Sequence, residues 1–204
     1  MKTCLVGCGG IAAVHGSVLT SGIDTEFVAA ADIKLEKAQS YAENFHTKPY
    51  PSLESMLEAE KPDVLHICTP HYLHVPMAIY SLERNINVFM EKPPAISFDQ
   101  LEELKKAAAK SDAQLGFCYQ NRYNASIRAA KDLIDSGKSG KVLGARAFVT
   151  WCRGAAYYTE SGWRGSLKTE GGGVLINQSV HTQDLLCFLL GDPTAVDATM
   201  TNHH

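Results

Sequence analysis

Hydrophobic and polar positions alternate in blocks along the first 119 residues. Short apolar runs at Thr3–Val6, Glu26–Ala31, Asp63–Cys68, Asn87–Met90 and Gln114–Tyr119 read as strands. The segments between them carry helical spacing. Ile11–Leu19 is one such segment. Leu35, Ala38, Ala42 and Phe45 recur at intervals of three and four, and Leu53, Met56 and Leu57 follow a Ser52 cap. Val75–Arg84 is helical with Pro76 tolerated in its first turn, and Ser97-Phe98-Asp99-Gln100 has the form of a capping box for a helix reaching Lys110. Thr69-Pro70 and Pro93-Pro94 stop the strands before them. This β-α-β-α rhythm predicts an α/β fold, a parallel sheet covered by helices on both faces.

After Tyr119 the rhythm changes. Ser126–Ser136 reads as a helix ending in Gly137 and Gly140, Lys141–Cys152 as a long strand, and Arg153–Glu170 as an aromatic-rich loop. Gly171-Gly172-Gly173 then leads into a strongly apolar helix, Val174–Leu190. The change sets a domain boundary, with 1–119 as one domain and 120–204 as the beginning of a second.

Composition narrows the function classes. The net charge of −3 supplies no basic field for nucleic acid or anionic lipid. No apolar run approaches membrane-spanning length, and the glycines at 7, 9 and 10 break the N-terminal run too early for a signal sequence. Cys4, Cys8, Cys68, Cys118, Cys152 and Cys187 form no C-x-x-C pair and fall mostly in apolar runs, so they read as reduced thiols of a cytoplasmic protein, with no metal site.

Gly7-Cys8-Gly9-Gly10-Ile11-Ala12 fits G-x-G-x-x-A. Alone, that pattern is also what any tight strand-to-helix turn uses. Here it follows a strand and opens a helix. Gly7 permits the turn, Gly9 and Gly10 let a pyrophosphate approach backbone N–H groups at the positive helix end, and Ala12 lets helix and strand pack closely. Asp32 closes the second strand 20 residues after Ala12, where a carboxylate accepts from ribose hydroxyls. Its charge favours NAD over NADP, and Lys34 and Lys37 soften that preference.

Further residues narrow the match. Cys68-Thr69-Pro70 is followed by His74, Glu91-Lys92-Pro93 ends the next strand, and Gly171-Gly172-Gly173 precedes Asn177, His181 and Asp184. Together these resemble the glucose–fructose oxidoreductase / inositol dehydrogenase / rhizopine-catabolism (Gfo/Idh/MocA) family over essentially the whole chain. The resemblance implies a Rossmann domain followed by an α+β domain with a mostly antiparallel sheet, incomplete here because family members are longer and this sequence stops at Thr201-Asn202-His203-His204 within an expected strand. It implies NAD or NADP as cofactor, a sugar or polyol as substrate, and a homo-oligomer, with neither nucleic acid nor membrane as partner.

The site residues follow from the same resemblance. Lys92 reaches the reacting hydroxyl and His181 takes its proton. Asn177, where many relatives have aspartate, orients substrate. Asn177, His181 and Asp184 would share one face if a single helix carries them. Gly7, Gly9, Gly10, Ile11, Ala12, Asp32, Thr69, Pro70, His74, Glu91, Asn121 and Arg122 are assigned to the cofactor. Tyr158, Trp163, Arg164 and Asp184 are assigned to substrate, although an ordered structural loop accounts for the aromatic and basic residues equally well. The expected activity is hydride transfer from a sugar or polyol hydroxyl. The alternatives are an NAD-dependent glycosidase of the same family and a non-catalytic sugar or dinucleotide sensor.

Overall fold

The structure is a computed structural model that describes residues 1–22 and 24–201. Six strands, β1 (Lys2–Val6), β2 (Glu26–Ala31), β3 (Lys48–Tyr50), β4 (Val64–Ile67), β5 (Asn87–Met90) and β6 (Leu115–Phe117), form one parallel sheet in the order β3-β2-β1-β4-β5-β6. Helices α1 (Ala12–Leu19), α2 (Leu35–Phe45), α3 (Leu53–Glu60), α4 (His74–Leu82) and α5 (Phe98–Lys110) make the connections. Five parallel crossovers put helices over both faces of the sheet. Leu5, Leu65, Ile67 and Met90 are fully buried, each stabilising the fold by about 1.5–3 kcal/mol. The strand order reverses between β1 and β4, and a crevice opens beyond the carboxyl ends of the strands at such a reversal.

Local signals set the helix starts. Ser52 Oγ accepts from Ser55 N at 3.1 Å, and Ser97 Oγ from Gln100 N at 3.2 Å. Gln100 reaches back to the Ile96 N–H rather than to that of Ser97. The short strand β3 escapes the hydrophobic pattern because it is an edge strand of three residues carrying Pro49, which has no N–H to donate.

By compactness the chain divides into two units, Met1–Cys118 with Cys152–Asn177, and Tyr119–Trp151 with the residues from Gln178 onward. The first adds three one- to two-turn helices to the sheet domain, α7 (Ala155–Thr159), α8 (Leu167–Glu170) and α9 (Val174–Asn177). The second holds α6 (Ala125–Asp135) and α10 (Val180–Leu190), packed on each other beside a 3-10 turn at Gln120–Tyr123.

Two expectations are corrected. Lys141–Cys152 is not a strand, and no strand occurs among the described residues after β6. A strand is stable only when its backbone groups pair with a neighbour, and no neighbour is described for this one. The strand expected to run on through 202–204 lies outside the described residues. Val174–Leu190 is not one helix but two, α9 and α10, parted at Gln178 and Ser179. Short polar side chains compete with helical backbone bonds and favour helix ends. Asn177 is drawn into a side-chain network, and Ser179 precedes α10 with its Oγ accepting from Gln183 Nε2 at 2.8 Å. Asn177, His181 and Asp184 therefore do not line one continuous helix face.

A buried carboxylate closes the sheet's β3 edge. Glu60, at the end of α3, accepts from Tyr50 Oη at 2.5 Å and Lys48 Nζ at 2.9 Å and pairs with Lys2 Nζ at 3.0 Å. The Tyr50 hydroxyl foremost, then the two lysines, hold its carboxyl down at about 2. An unfolded glutamate titrates near ~4.3, so the folded value is depressed; the contribution is full above the unfolded value and lost as pH falls through the folded one. Glu60→Gln should lower stability by about 1–3 kcal/mol at neutral pH. Urea titrations should show the two proteins' stabilities converging between roughly pH 5 and pH 2.

Candidate active site

The chain must turn sharply where β1 meets α1, and only glycine fits. Gly7 has φ +92°, and a Cβ there would lie 2.8 Å from the Cys68 carbonyl carbon and the Thr69 nitrogen. Gly9 and Gly10 face open space instead, as a cradle for a backbone-bound ligand does. Ile11 is exposed and Ala12 fully buried. Close packing of α1 on α2 falls to Gly16, where a Cβ would meet the Tyr41 hydroxyl at 2.5 Å and the Phe45 ring at 2.7 Å. The Tyr41 hydroxyl donates to the Ala12 carbonyl at 2.8 Å. Asp32 accepts from the Cys8 N–H at 2.9 Å and the Lys34 N–H at 2.9 Å, so it joins the glycine turn to the end of β2.

The ends of β4 and β5 supply the next groups. Thr69 Oγ1 is buried without a hydrogen-bond partner, so a donor is left for a bound group. His74 is fully buried, with Nδ1 2.8 Å from the Pro93 carbonyl and Nε2 2.9 Å from the Thr69 carbonyl. Burial lowers its pKa against those two contacts. A neutral ring has a single N–H, so His74 donates to one of these carbonyls and packs against the other, wedged between the two strand-end loops rather than turned to a nucleotide as the sequence suggested. Pro70 leads into the turn His71–Leu73.

Lys92 is the centre of a polar network within the first unit. Its Nζ donates to the Asn177 carbonyl at 3.0 Å and to Asn177 Oδ1 at 3.3 Å. The Asn177 amide nitrogen donates to the Tyr157 hydroxyl at 3.1 Å and to Glu170 Oε1. These acceptors fix which way the amide points, leaving Oδ1 for the ammonium. Glu170 is 1% exposed; its other oxygen accepts from the Gly165 N–H at 2.6 Å, and its carbonyl from His71 Nδ1 at 2.9 Å. Burial foremost lowers the Lys92 pKa and Arg164 adds to that, against the charges of Glu91 and Glu170, which raise it. Glu170 escaped the sequence reading. Its position directly before the glycine run was the available signal, but an acidic residue at a loop end is normally solvated.

The aromatic loop closes on the same network. Trp163 packs edge-on against His71 at 4.6 Å, and the Arg164 guanidinium lies over Tyr157 and Trp163 at 4.4 and 4.5 Å. Arg164 Nε is buried with no partner. Tyr158 meets Tyr157 edge-on at 5.0 Å.

In the second unit, Asn121 lies in the 3-10 turn, where its carbonyl accepts from the Asn124 N–H. Arg122 and Asp184 form a two-pronged ion pair, Nε to Oδ2 at 2.8 Å and Nη2 to Oδ1. The sequence reading sent Arg122 to the cofactor and Asp184 to the substrate, whereas here each is the other's partner. His181 sits in the first turn of α10, edge-on to Tyr119 at 6.2 Å. Among the described residues, one group of three, His15, Glu91 and Cys118, has potential metal-donor atoms within 4.8 Å of one another. The His15 and Glu91 atoms are already hydrogen-bonded to each other at 3.0 Å.

Comparisons with known proteins identify the relatives of this fold. Residues 1–119 match the model described as "Oxidoreductase family, NAD-binding Rossmann fold", and residues 127–204 match "GFO/IDH/MocA C-terminal domain". D-glucoside 3-dehydrogenase of Escherichia coli K12 is 29% identical over 95% of this chain and 55% of its own length. 1,5-Anhydro-D-fructose reductase of Ensifer adhaerens is 30% identical over 93% of this chain and 56% of its own. The WlbA dehydrogenase of Bordetella pertussis, solved with NADH and UDP-GlcNAcA, superposes with a TM-score of 0.86 at 31% identity, over 93% of this chain and 58% of that one. The chain thus spans a little over half the length of these relatives.

Glu170→Leu should leave the Asn177 amide and the Gly165 N–H without their acceptor, at a cost of roughly 1–3 kcal/mol per buried donor. Thermal melting of the variant beside the wild type measures it; an unchanged midpoint would show the carboxylate to be structurally idle.

Proposed function

The chain belongs to the Gfo/Idh/MocA oxidoreductase family, and from that premise we propose that it serves NAD-dependent hydride transfer between a sugar or polyol hydroxyl and the nicotinamide. One observation carries the reading. A partly buried lysine stands at the carboxyl end of a parallel strand, its ammonium held by both oxygens of one asparagine. An ammonium fixed there stabilises negative charge developing on a substrate oxygen.

The residues present fit a dinucleotide. The open glycines at 9 and 10, the first turn of α1 behind them, and the unpartnered Thr69 hydroxyl are three separate features of one strand-end crevice. When bound, NAD supplies the hydride acceptor. The N–H groups of Gly9, Gly10 and Ile11 would bind the diphosphate, since those of Gly7, Cys8 and Ala12 already donate to Ala31, Asp32 and Gly9. Asp32 would accept from the adenosine ribose with the lone pairs that Cys8 and Lys34 leave free, and NADP is the less favoured alternative because of that charge. Glu91 would act in the cofactor region through the chain. Lys92 holds its proton and polarises the substrate oxygen, and Asn177 keeps Nζ in place. His181 is assigned the proton of the hydroxyl, since imidazole titrates near ~6.5 and so exchanges protons at neutral pH. Tyr158, Trp163 and Arg164 offer aromatic faces and a guanidinium to a polyhydroxylated ring. Free thiols throughout suit a reducing cytoplasm, and the reading includes a homo-oligomer as the working form.

The test is NAD and NADP titration followed by a sugar and sugar-nucleotide panel read by nicotinamide absorbance. Lys92→Ala should lower turnover by about 10²–10³-fold, as loss of one oxyanion donor does, with NAD affinity nearly unchanged. Asp32→Ala should weaken NAD binding by about 1–3 kcal/mol. Aglycone release without NADH accumulation would replace the dehydrogenase reading by a glycosidase one. Binding without turnover across the panel would replace it by a sensor.

A further inference from the structure

A line of buried side chains runs behind the strand ends, and of its members only Glu91 enters the reaction proposed above. His66 projects from β4, His15 from α1, Glu91 follows β5 and Cys118 follows β6. His66 Nδ1 lies 2.9 Å from His15 Nδ1, and His15 Nε2 lies 3.0 Å from Glu91 Oε1. His15 and Glu91 are under 10% exposed. The two imidazoles meet edge-on at 5.2 Å, and Phe89 packs against both. Glu91 Oε2 accepts from the Lys92 N–H at 3.2 Å, and the Cys118 thiol donates to the same carboxylate.

A contact between two imidazole nitrogens needs one donor and one acceptor. With both rings neutral, His66 donates from Nδ1, which leaves the His15 proton on Nε2, pointing at Glu91. With His15 protonated, it donates to both neighbours. In either state Glu91 receives an N–H and stays an ionised acceptor. His66 is held neutral at physiological pH, burial first and the His15 charge second bringing it down to about 4. Burial would drive the Glu91 carboxyl upward, but the His15 bond and charge, Cys118 and the Lys92 N–H together hold it below the usual range.

We propose that His15, its tautomer set by His66, is a positioning residue for Lys92: it keeps Glu91 charged, and Glu91 in turn seats the Lys92 backbone and keeps the lysine protonated. The inference rests on Lys92 being the group that meets the substrate oxygen. The groups around the pair are accounted for. Glu91 faces His15, Cys68, Cys118 and Lys92, with His66 behind His15. Lys92 faces Glu91, Cys118, Glu170 and Arg164, with His71 and His74 nearby. Of the two glutamates, Glu91 is the one whose charge depends on a histidine.

The experiment is an NMR titration of Lys92, with 13C-labelled lysine and its signal assigned by its absence in Lys92→Ala, on the protein without added nucleotide. Glu91→Gln should lower the Lys92 pKa by about one unit, the effect of losing a nearby opposite charge. His15→Leu, which leaves the carboxylate without its imidazole donor, should lower it by less, and His15→Gln, whose amide can donate where Nε2 does, should restore most of that. His15→Leu/Glu91→Gln should fall no lower than Glu91→Gln alone, since residues acting through one another are not additive. In turnover assays of His15→Leu the alkaline limb of kcat should move to lower pH by the same amount, with the KM for NAD little changed. An unchanged Lys92 pKa in a folded His15→Leu, or additive losses in the double variant, overturns the proposal. If His15→Leu does not fold, an unchanged value in Glu91→Gln overturns it. The expected shift in a protein that turns over no sugar would instead sink the dehydrogenase reading and leave the coupling standing.

Discussion

An ammonium partly withdrawn from water at the end of a sheet stays charged only if negative groups stand close by, and much of the polar interior of this chain answers that demand. Lys92 lies among the charges of Glu91 and Glu170, and neither carboxylate is itself solvated. Each is held by its own donors: Glu91 by His15, Cys118 and the Lys92 N–H, Glu170 by Asn177 and Gly165. Buried charges are tolerated when every lone pair finds a partner, and costly when one does not. The network is therefore a set of mutual dependencies rather than a row of independent contacts.

The same economy appears at the glycine turn. The approach of Gly7 to the Cys68–Thr69 backbone brings the loop after β1 against the loop after β4, at the point where the strand order reverses. Asp32 joins that loop to the end of β2, and His74 joins the loop after β4 to the turn following Lys92. Four strand ends are thus brought together, by these bonds and by the close approach of Gly7, around the open glycines at 9 and 10.

Asn177 shows how an uncharged side chain is fixed beside an ammonium. An amide carries no charge to oppose Lys92, but its nitrogen can donate. That donor is engaged by Glu170 and Tyr157, so the amide oxygen points one way only. The nearest carboxylate behind that amide is Glu170, seven residues earlier in the chain.

The sequence by itself determined the sheet domain. Its apolar runs, cap residues and proline stops are local, and each acts on its own few residues, so β1, β2, β4, β5 and β6 were legible, along with the turn at Gly7 and the place of Lys92 at a strand end. Two things in the second half were not. Lys141–Cys152 has strand composition, yet pairing is a property of two segments. Val174–Leu190 has helical periodicity, yet it breaks where Asn177 and Ser179 find better partners than the backbone. The tertiary structure alone decided which polar groups meet. His66 and Glu91 lie 51 and 76 residues along the chain from His15, and Glu170 lies 99 residues from His71. Hydrogen bonds of that span follow from how helices settle on the sheet, and no periodicity along one chain encodes them.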